Sequence, residues 1–203
     1  MFRPSAFVLS DEDALAVVAE ASFVQLVSSG VDGFAVTPLP VLVDAERRLL
    51  VGHLARANPH WRALVDRPAA VALCSPTEGY VSPSWYPSKA EHGRVVPTWN
   101  YVAVAVHGTV TIHEDPAWLA PLVRRLSDHH EAARPRPWSV DDAPAEFVER
   151  QLRAIVGVEL TIERIEGKAK LSQNRPEADR EGVLAGLDDT DPLAAAMQRW
   201  SST

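Results

Sequence analysis

The strongest constraint on the fold is a long alternating run, Tyr101 to His113. Val102, Val104, Val106, Val110 and Ile112 share one face there, and Gly108 interrupts the series. A period of two over this length specifies a strand with one buried face. A second run repeats it, with Val156, Val158, Leu160 and Ile162 alternating with Gly157, Glu159, Thr161 and Glu163. Such strands need partners, and the chain offers several. Phe23 to Val27 is apolar and is followed by the turn residues Ser28-Ser29-Gly30-Val31-Asp32-Gly33. Phe34 to Val43 resumes as a strand, although Pro38 and Pro40 each remove a ladder donor, so it must bulge or lie at an edge there. Arg48 to Leu54 is expected to pair with it across Asp44-Ala45-Glu46, and Ala69 to Cys74 is another apolar run of strand length.

Helices are expected around these strands. Ser10 followed by Asp11, Glu12 and Asp13 is a helix start, with a cap and acids at the positive dipole end, and that helix runs to about Ala21. Trp118, Leu119, Leu122, Val123 and Leu126 form one amphipathic stripe, and Val148, Leu152 and Ile155 form another. Pro176 and Pro192 suit the first turns of two C-terminal helices. Strands joined mostly by short turns, with helices around them, predict an α+β fold built on a small antiparallel barrel.

Composition bounds the function. A chain of 203 residues buries roughly 70% of its unfolded surface and needs no disulfide or metal staple. Cys74 is the single cysteine, no basic segment leads into a long apolar one at the N-terminus, and no membrane-length apolar run occurs, so a cytoplasmic protein is expected. Lys plus Arg number 20 against 27 for Asp plus Glu, a formal net charge of −7 that disfavours non-specific nucleic-acid binding.

Three segments could carry chemistry. In Gly52-His53-Leu54-Ala55-Arg56-Ala57-Asn58-Pro59-His60-Trp61 a strand ends, Arg56 follows, and Asn58 caps a helix that begins at Pro59. Free N–H groups at a helix start beside a guanidinium suit a phosphate, and an ordinary strand-to-helix corner is the alternative. Ser75 to Asn100 shows no period and is expected to be a long loop stiffened by Pro76, Pro83, Pro87 and Pro97. Tyr80, Trp85, Tyr86, Trp99 and Tyr101 lie in or beside it, able to wall a flat ligand, face a partner subunit or plug a barrel end. Gly167-Lys168-Ala169-Lys170-Leu171-Ser172-Gln173-Asn174-Arg175-Pro176 is donor-rich, suited to a phosphate or a ring carbonyl, or else a solvated basic turn.

Other signals are absent or weak. No histidine pair has the i, i+4 spacing of a helical metal site, and His107 and His113 on one strand stand about 20 Å apart, so no metal is expected. His129 and His130 fall near a helix end, where they complement its negative dipole. Cys74 closes an apolar run and reads as a buried small hydrophobe. No G-x-S-x-G, P-loop or G-x-G-x-x-G occurs.

Together these segments resemble the PaiB family of FMN-binding negative transcriptional regulators. The resemblance rests on Gly52 to Pro59, Tyr80-Val81-Ser82-Pro83-Ser84-Trp85-Tyr86, Val96-Pro97-Thr98-Trp99-Asn100-Tyr101 and Lys170 to Arg175, in that order along the chain. It implies an FMN-binding split β-barrel similar to pyridoxamine 5′-phosphate oxidase over residues 1–187, with 188–203 as a helical tail. It also implies a homodimer with flavin at the interface. By the same resemblance Arg56 and Asn58 would hold the FMN phosphate with His53 nearby. Trp99 and Asn100 would line the flavin or the dimer interface, and Lys170, Ser172, Gln173 and Asn174 would approach from the C-terminal segment. Two positions depart from the family pattern: Pro38 stands where a His commonly precedes Leu-Pro, and Ala169 where an aromatic lies between the two lysines.

The resemblance leaves three functions to weigh. One is a PaiB-like FMN-binding negative regulator; the charge and the lack of a helix-turn-helix argue against direct DNA contact. Another is a flavin-dependent oxidoreductase acting on a small molecule, although no residue declares itself a required acid or base. A third is a binding module for another small ligand.

Overall fold

The computed structural model describes residues 1–30, 33–188 and 190–200. In chain order the elements are β1 (Val8–Leu9), α1 (Asp11–Ala21), β2 (Phe23–Gly30), β3 (Gly33–Asp44), β4 (Leu49–Ala55), α2 (His60–Asp66) and β5 (Ala69–Val81). There follow α3 (Ser88–His92), β6 (Thr98–His113), α4 (Pro116–Glu131), α5 (Ala145–Arg153), β7 (Ile155–Lys170), α6 (Glu177–Gly186) and α7 (Pro192–Arg199). The strands form one sheet in the order β1-β7-β4-β3-β2-β5-β6, and a further β6–β7 pairing joins that order into a barrel ladder with β1 outside it. The fold is α+β, as the two alternating runs require.

The chain divides into two compact units, one of Met1–Val17, Ser75–Ala105 and Glu166–Thr203, the other of Val18–Cys74 and Val106–Ile165. In the second unit β2–β3, β2–β5, β3–β4 and β4–β7 are antiparallel ladders. Directly opposed residues share a sheet face, so the registers sort the side chains. Val24, Leu26, Leu39, Val41, Leu50, Leu54, Val156, Val158 and Leu160 all turn to one face and are buried. On the opposite face α4 lays Leu122 and Leu126 over Val51, with Leu42, Leu49 and Trp118 packed around them. Gly157 makes room there, since a Cβ would come 2.2 Å from the Trp118 ring.

Pro38 and Pro40 obey the edge rule locally. Val41 donates its N–H to Ser22 O on the β2 side, so the nitrogens of residues 38 and 40 point away from β2. The β3–β4 register covers only residues 41–44, so no ladder donor is missed at either proline.

In the first unit β1 pairs with β7 at Val8↔Lys168 and Leu9↔Gly167. Trp85 lies against Gly182 and Gly186 of α6, and Leu193 of α7 lies against Gly79. Asp179 is buried and accepts hydrogen bonds from the Ser88 N–H and hydroxyl. Trp200, just beyond α7, is buried.

Several expectations are corrected. Ser75 to Asn100 is not a long loop: β5 continues to Val81, a 3-10 turn spans Pro83–Trp85, α3 follows, and β6 starts at Thr98. The apolar alternation fails there because Thr77 and Gly79 supply the better-covered positions and Leu193 fills the space above Gly79. Ile155 does not extend the α5 stripe but opens β7. Arg48 lies in the turn before β4 at φ +54° rather than in the strand. The turn expected over 28–33 shrinks as β2 runs on to Gly30 and β3 begins at Gly33; Val31 and Asp32 lie outside the described residues.

Candidate functional site

The expected site residues fall into two groups, one in each unit. The second unit brings together His53, Arg56 and Asn58 at the end of β4. Arg56 is clamped by its backbone: its N–H donates to Ala154 O at 2.8 Å, and its carbonyl accepts from the Trp61 indole at 2.9 Å. The guanidinium then caps the end of α5, with Nε donating to Arg153 O at 2.9 Å and Nη2 to Ile155 O at 3.2 Å. A cation at these carbonyls meets the negative end of the helix dipole. Nη1 forms an ion pair with the carboxylate of Glu114, in the short connection between β6 and α4.

α2 begins at His60, one residue later than expected, with Pro59 at its N-cap position, and Asn58 Oδ1 accepts the His60 N–H at 3.0 Å from just outside it. Its Nδ2 donates to Thr37 Oγ1 at 3.1 Å. Thr37 Oγ1 lies 2.8 Å from His60 Nδ1, and His60 Nε2 lies 2.9 Å from Ser28 Oγ. With both ring nitrogens facing hydroxyls, either neutral tautomer of His60 finds one donor and one acceptor here. This chain of contacts was not legible as a site, although His60 stands in the motif and Thr37 precedes the departing Pro38. His53 lies opposite Gly157 on the face that α4 covers. Its Nδ1 is buried and finds no hydrogen-bond partner among the described residues. Burial holds both His53 and His60 below the ordinary histidine value.

The first unit brings together Trp99, Asn100, Lys170, Ser172 and Gln173. Asn100 is 0% exposed; its amide donates to Ser172 Oγ at 3.0 Å and to Met197 Sδ at 3.6 Å, and Ser172 donates back to Asn100 Oδ1 at 3.2 Å. These bonds hold Ser172 in the left-handed region at φ +66°, costly for a residue with a Cβ. Lys170 Nζ donates to Thr98 Oγ1 at 2.6 Å and to Trp99 O. Burial, with Lys168 and Arg175 as cationic neighbours, holds its ammonium below the usual lysine range. Gln173 spends its amide locally, accepting from Leu171 N and donating to Ala169 O, both at 2.7 Å. Asn174 is exposed. Trp99 is half exposed and meets Tyr80 edge to face at 6.2 Å.

Two kinds of side chain emerge. Arg56, Lys170 and Trp99 present a guanidinium, an ammonium and a ring at partly open positions, whereas Asn100, Ser172, Gln173 and Asn58 support the backbone that carries them. Arg56 already holds one oxyanion, a carboxylate, so its donor geometry suits a phosphate. Among the described residues no group of three or more His, Cys, Asp or Glu side chains could hold a metal, and no helix is long and apolar enough to cross a membrane. Cys74 is buried, which pushes its thiol up to about 11.

The family described as "Putative FMN-binding domain" matches residues 1–164. The protease synthase and sporulation protein PAI 2 of Bacillus subtilis is 30% identical over 201 residues, covering 97% of this chain and 94% of that one. An uncharacterized protein of Aspergillus fumigatus is 36% identical over 171 residues, covering 68% of this chain; the chain spans 66% of that relative's own length. Among solved structures, a conserved hypothetical protein of Mycobacterium tuberculosis superposes with a TM-score of 0.62 at 15% identity, covering 87% of this chain and 95% of that one, a likeness of fold.

Proposed function

The chain belongs to the PaiB family of FMN-binding proteins, and from that premise we propose that it acts as an FMN-binding homodimer that lowers transcription, with the flavin at the subunit interface. FMN is the cofactor that this membership brings. Arg56 takes the phosphate, held in place by Arg153 O and Ile155 O, and Asn58 orients the corner beside it with His53 nearby. Trp99 and Lys170 contribute ring and ammonium contacts to the cofactor; Asn100, Ser172, Gln173 and Asn174 fix the segments that carry them. Bound FMN would supply a ring able to exchange hydride or single electrons.

The observation that carries this reading is the Arg56 guanidinium, pinned on one edge by Arg153 O and Ile155 O and bearing an oxyanion on another. Support for the homodimer comes from the sheet face that α4 covers over β4. The same face continues uncovered as Phe23, Phe34, Val36, Pro38 and Leu73, which are exposed. An apolar patch of this kind on a three-stranded sheet marks a protein interface. Regulation through the flavin state rather than through a basic DNA-reading surface agrees with the charges. Arg124 is paired with Asp141 at 2.7 Å, Arg134 is paired with Glu131 at 3.1 Å, and the net charge is −7.

Titration of the purified protein with FMN, followed by flavin absorbance and calorimetry, tests the reading. Saturable binding at micromolar flavin is expected, and its absence overturns the proposal. With flavin bound, anaerobic bleaching by NAD(P)H would place the chain among oxidoreductases instead. A shift of promoter fragments in gels by the protein alone would show that DNA contact is direct.

A further inference from the structure

Glu114 occupies the edge of Arg56 that an oxyanion would use. Arg153 O at the end of α5 and Ile155 O at the start of β7 take Nε and one Nη2 donor, so the guanidinium plane is fixed whether or not the Glu114 carboxylate is present. What remains for a phosphate is the Nη edge, and there the Glu114 carboxylate sits on Nη1 while the Glu114 main-chain carbonyl accepts a long bond from Nη2 at 3.5 Å. The Glu114 side chain is 55% exposed against 34% for Arg56, and it leaves from a two-residue connection between β6 and α4 rather than from a packed element. The carboxylate is therefore the one exchangeable partner in a set otherwise made of main-chain carbonyls.

We propose that Glu114 is an internal competitor for the phosphate site: its carboxylate latches Arg56 in the free protein and is displaced when a phosphorylated flavin binds. The proposal rests on Arg56 being the phosphate ligand. Its chemical consequence is selectivity. A ligand with a dianionic phosphate competes with a single carboxylate for the same donors, while a flavin without phosphate leaves the latch closed and gains nothing from Arg56. Opening the latch costs the Arg56–Glu114 ion pair, so it lowers affinity for the phosphorylated ligand through Arg56 alone.

The test is a titration of FMN and riboflavin, by quenching of flavin fluorescence, into the full-length wild type, Glu114→Gln, Arg56→Ala and the double variant. Glu114→Gln is expected to bind FMN about two- to fivefold more tightly, the scale of an exposed ion pair, with riboflavin unchanged. In the Arg56→Ala background the same substitution is expected to change nothing, an outcome that a general effect of Glu114 on the fold would not produce. Equal or weaker FMN binding by Glu114→Gln, while Arg56→Ala abolishes the preference for FMN over riboflavin, overturns the latch and leaves Arg56 as the phosphate ligand. A preference for FMN that survives in Arg56→Ala overturns both. Unchanged circular dichroism of each variant establishes that the comparison is between folded proteins.

Discussion

The hydroxyl of Thr37 lies 2.8 Å from Nδ1 of the buried His60 imidazole, and this contact ties β3 to α2 just below the candidate phosphate corner. The same oxygen accepts the Asn58 amide at 3.1 Å. Thr37→Val keeps the shape and removes both bonds, leaving a ring nitrogen and an amide unpaired. Each buried orphan costs about 1–3 kcal/mol. Urea unfolding is expected to report a loss on that scale, with FMN affinity falling as Asn58 loses its anchor. Wild-type stability in Thr37→Val would show that the contact contributes nothing.

His53 and His60 make stability depend on pH in a defined direction. Burial lowers both folded-state values below the unfolded 6.5, so between the two the unfolded chain binds more protons. Their contribution is fully present above 6.5 and is lost as pH falls through that value toward the folded ones. Denaturation midpoints measured across this window are expected to fall with pH, and His60→Gln is expected to flatten the slope. A midpoint that rises on acidification would contradict the assignment of neutral imidazoles.

Arg56 serves two ends at once, and its replacement separates them. Arg56→Ala removes the cap on α5, at about 0.5–1 kcal/mol of stability. In the proposed site it also removes a charged hydrogen bond to phosphate, so FMN binding is expected to weaken by about 1.5–3 kcal/mol. Arg56→Lys keeps the charge but lacks the fork, so it is expected to recover only part of each. Calorimetry with FMN and thermal unfolding of both variants read the two effects independently; an unchanged FMN affinity in Arg56→Ala removes the residue from the site.

How much of this was legible in the sequence depends on the range of the interaction. The β6 and β7 alternation, the Ser10 cap and the Asn58 corner are local patterns, and each appears where the residues place it. The second half of β5 was misread because its cover comes from Leu193, far along the chain from Gly79. Glu114 carried no signal at all: it is 58 residues from Arg56, and the carbonyls that share the guanidinium are 97 and 99 residues away. Asn100, conspicuous in its motif, turns out to be fully buried and bonded to Ser172, which no spacing along the chain could indicate.

Cys74 offers a probe of the barrel interior. Its thiol is buried and pushed up to about 11, which leaves about a hundredfold less thiolate than the ordinary value of 9.0 at neutral pH. Native protein is expected to resist a thiol reagent until denaturant is added, and then to react fully. Rapid labelling without denaturant would mean that the β5 strand opens readily.

The uncovered sheet face makes the last expectation. Phe34 is 83% exposed and Val36 is 57% exposed; they stand opposite Ser29 and Val27, with Leu73 two strands away on the same face. Burying such residues against their own copy removes apolar area from water at about 25 cal/mol per Å². A twofold interface doubles every contact made by one patch. Charges at its centre would then face each other unpaired. Phe34→Glu combined with Val36→Glu is expected to yield a folded monomer, while the same substitutions at solvated positions such as Arg124 and Arg134 leave the dimer intact. Light scattering coupled to size exclusion reads the mass directly. A wild-type monomer at assay concentrations would sink the homodimer, and a dimer that survives both glutamates would move its interface to another face.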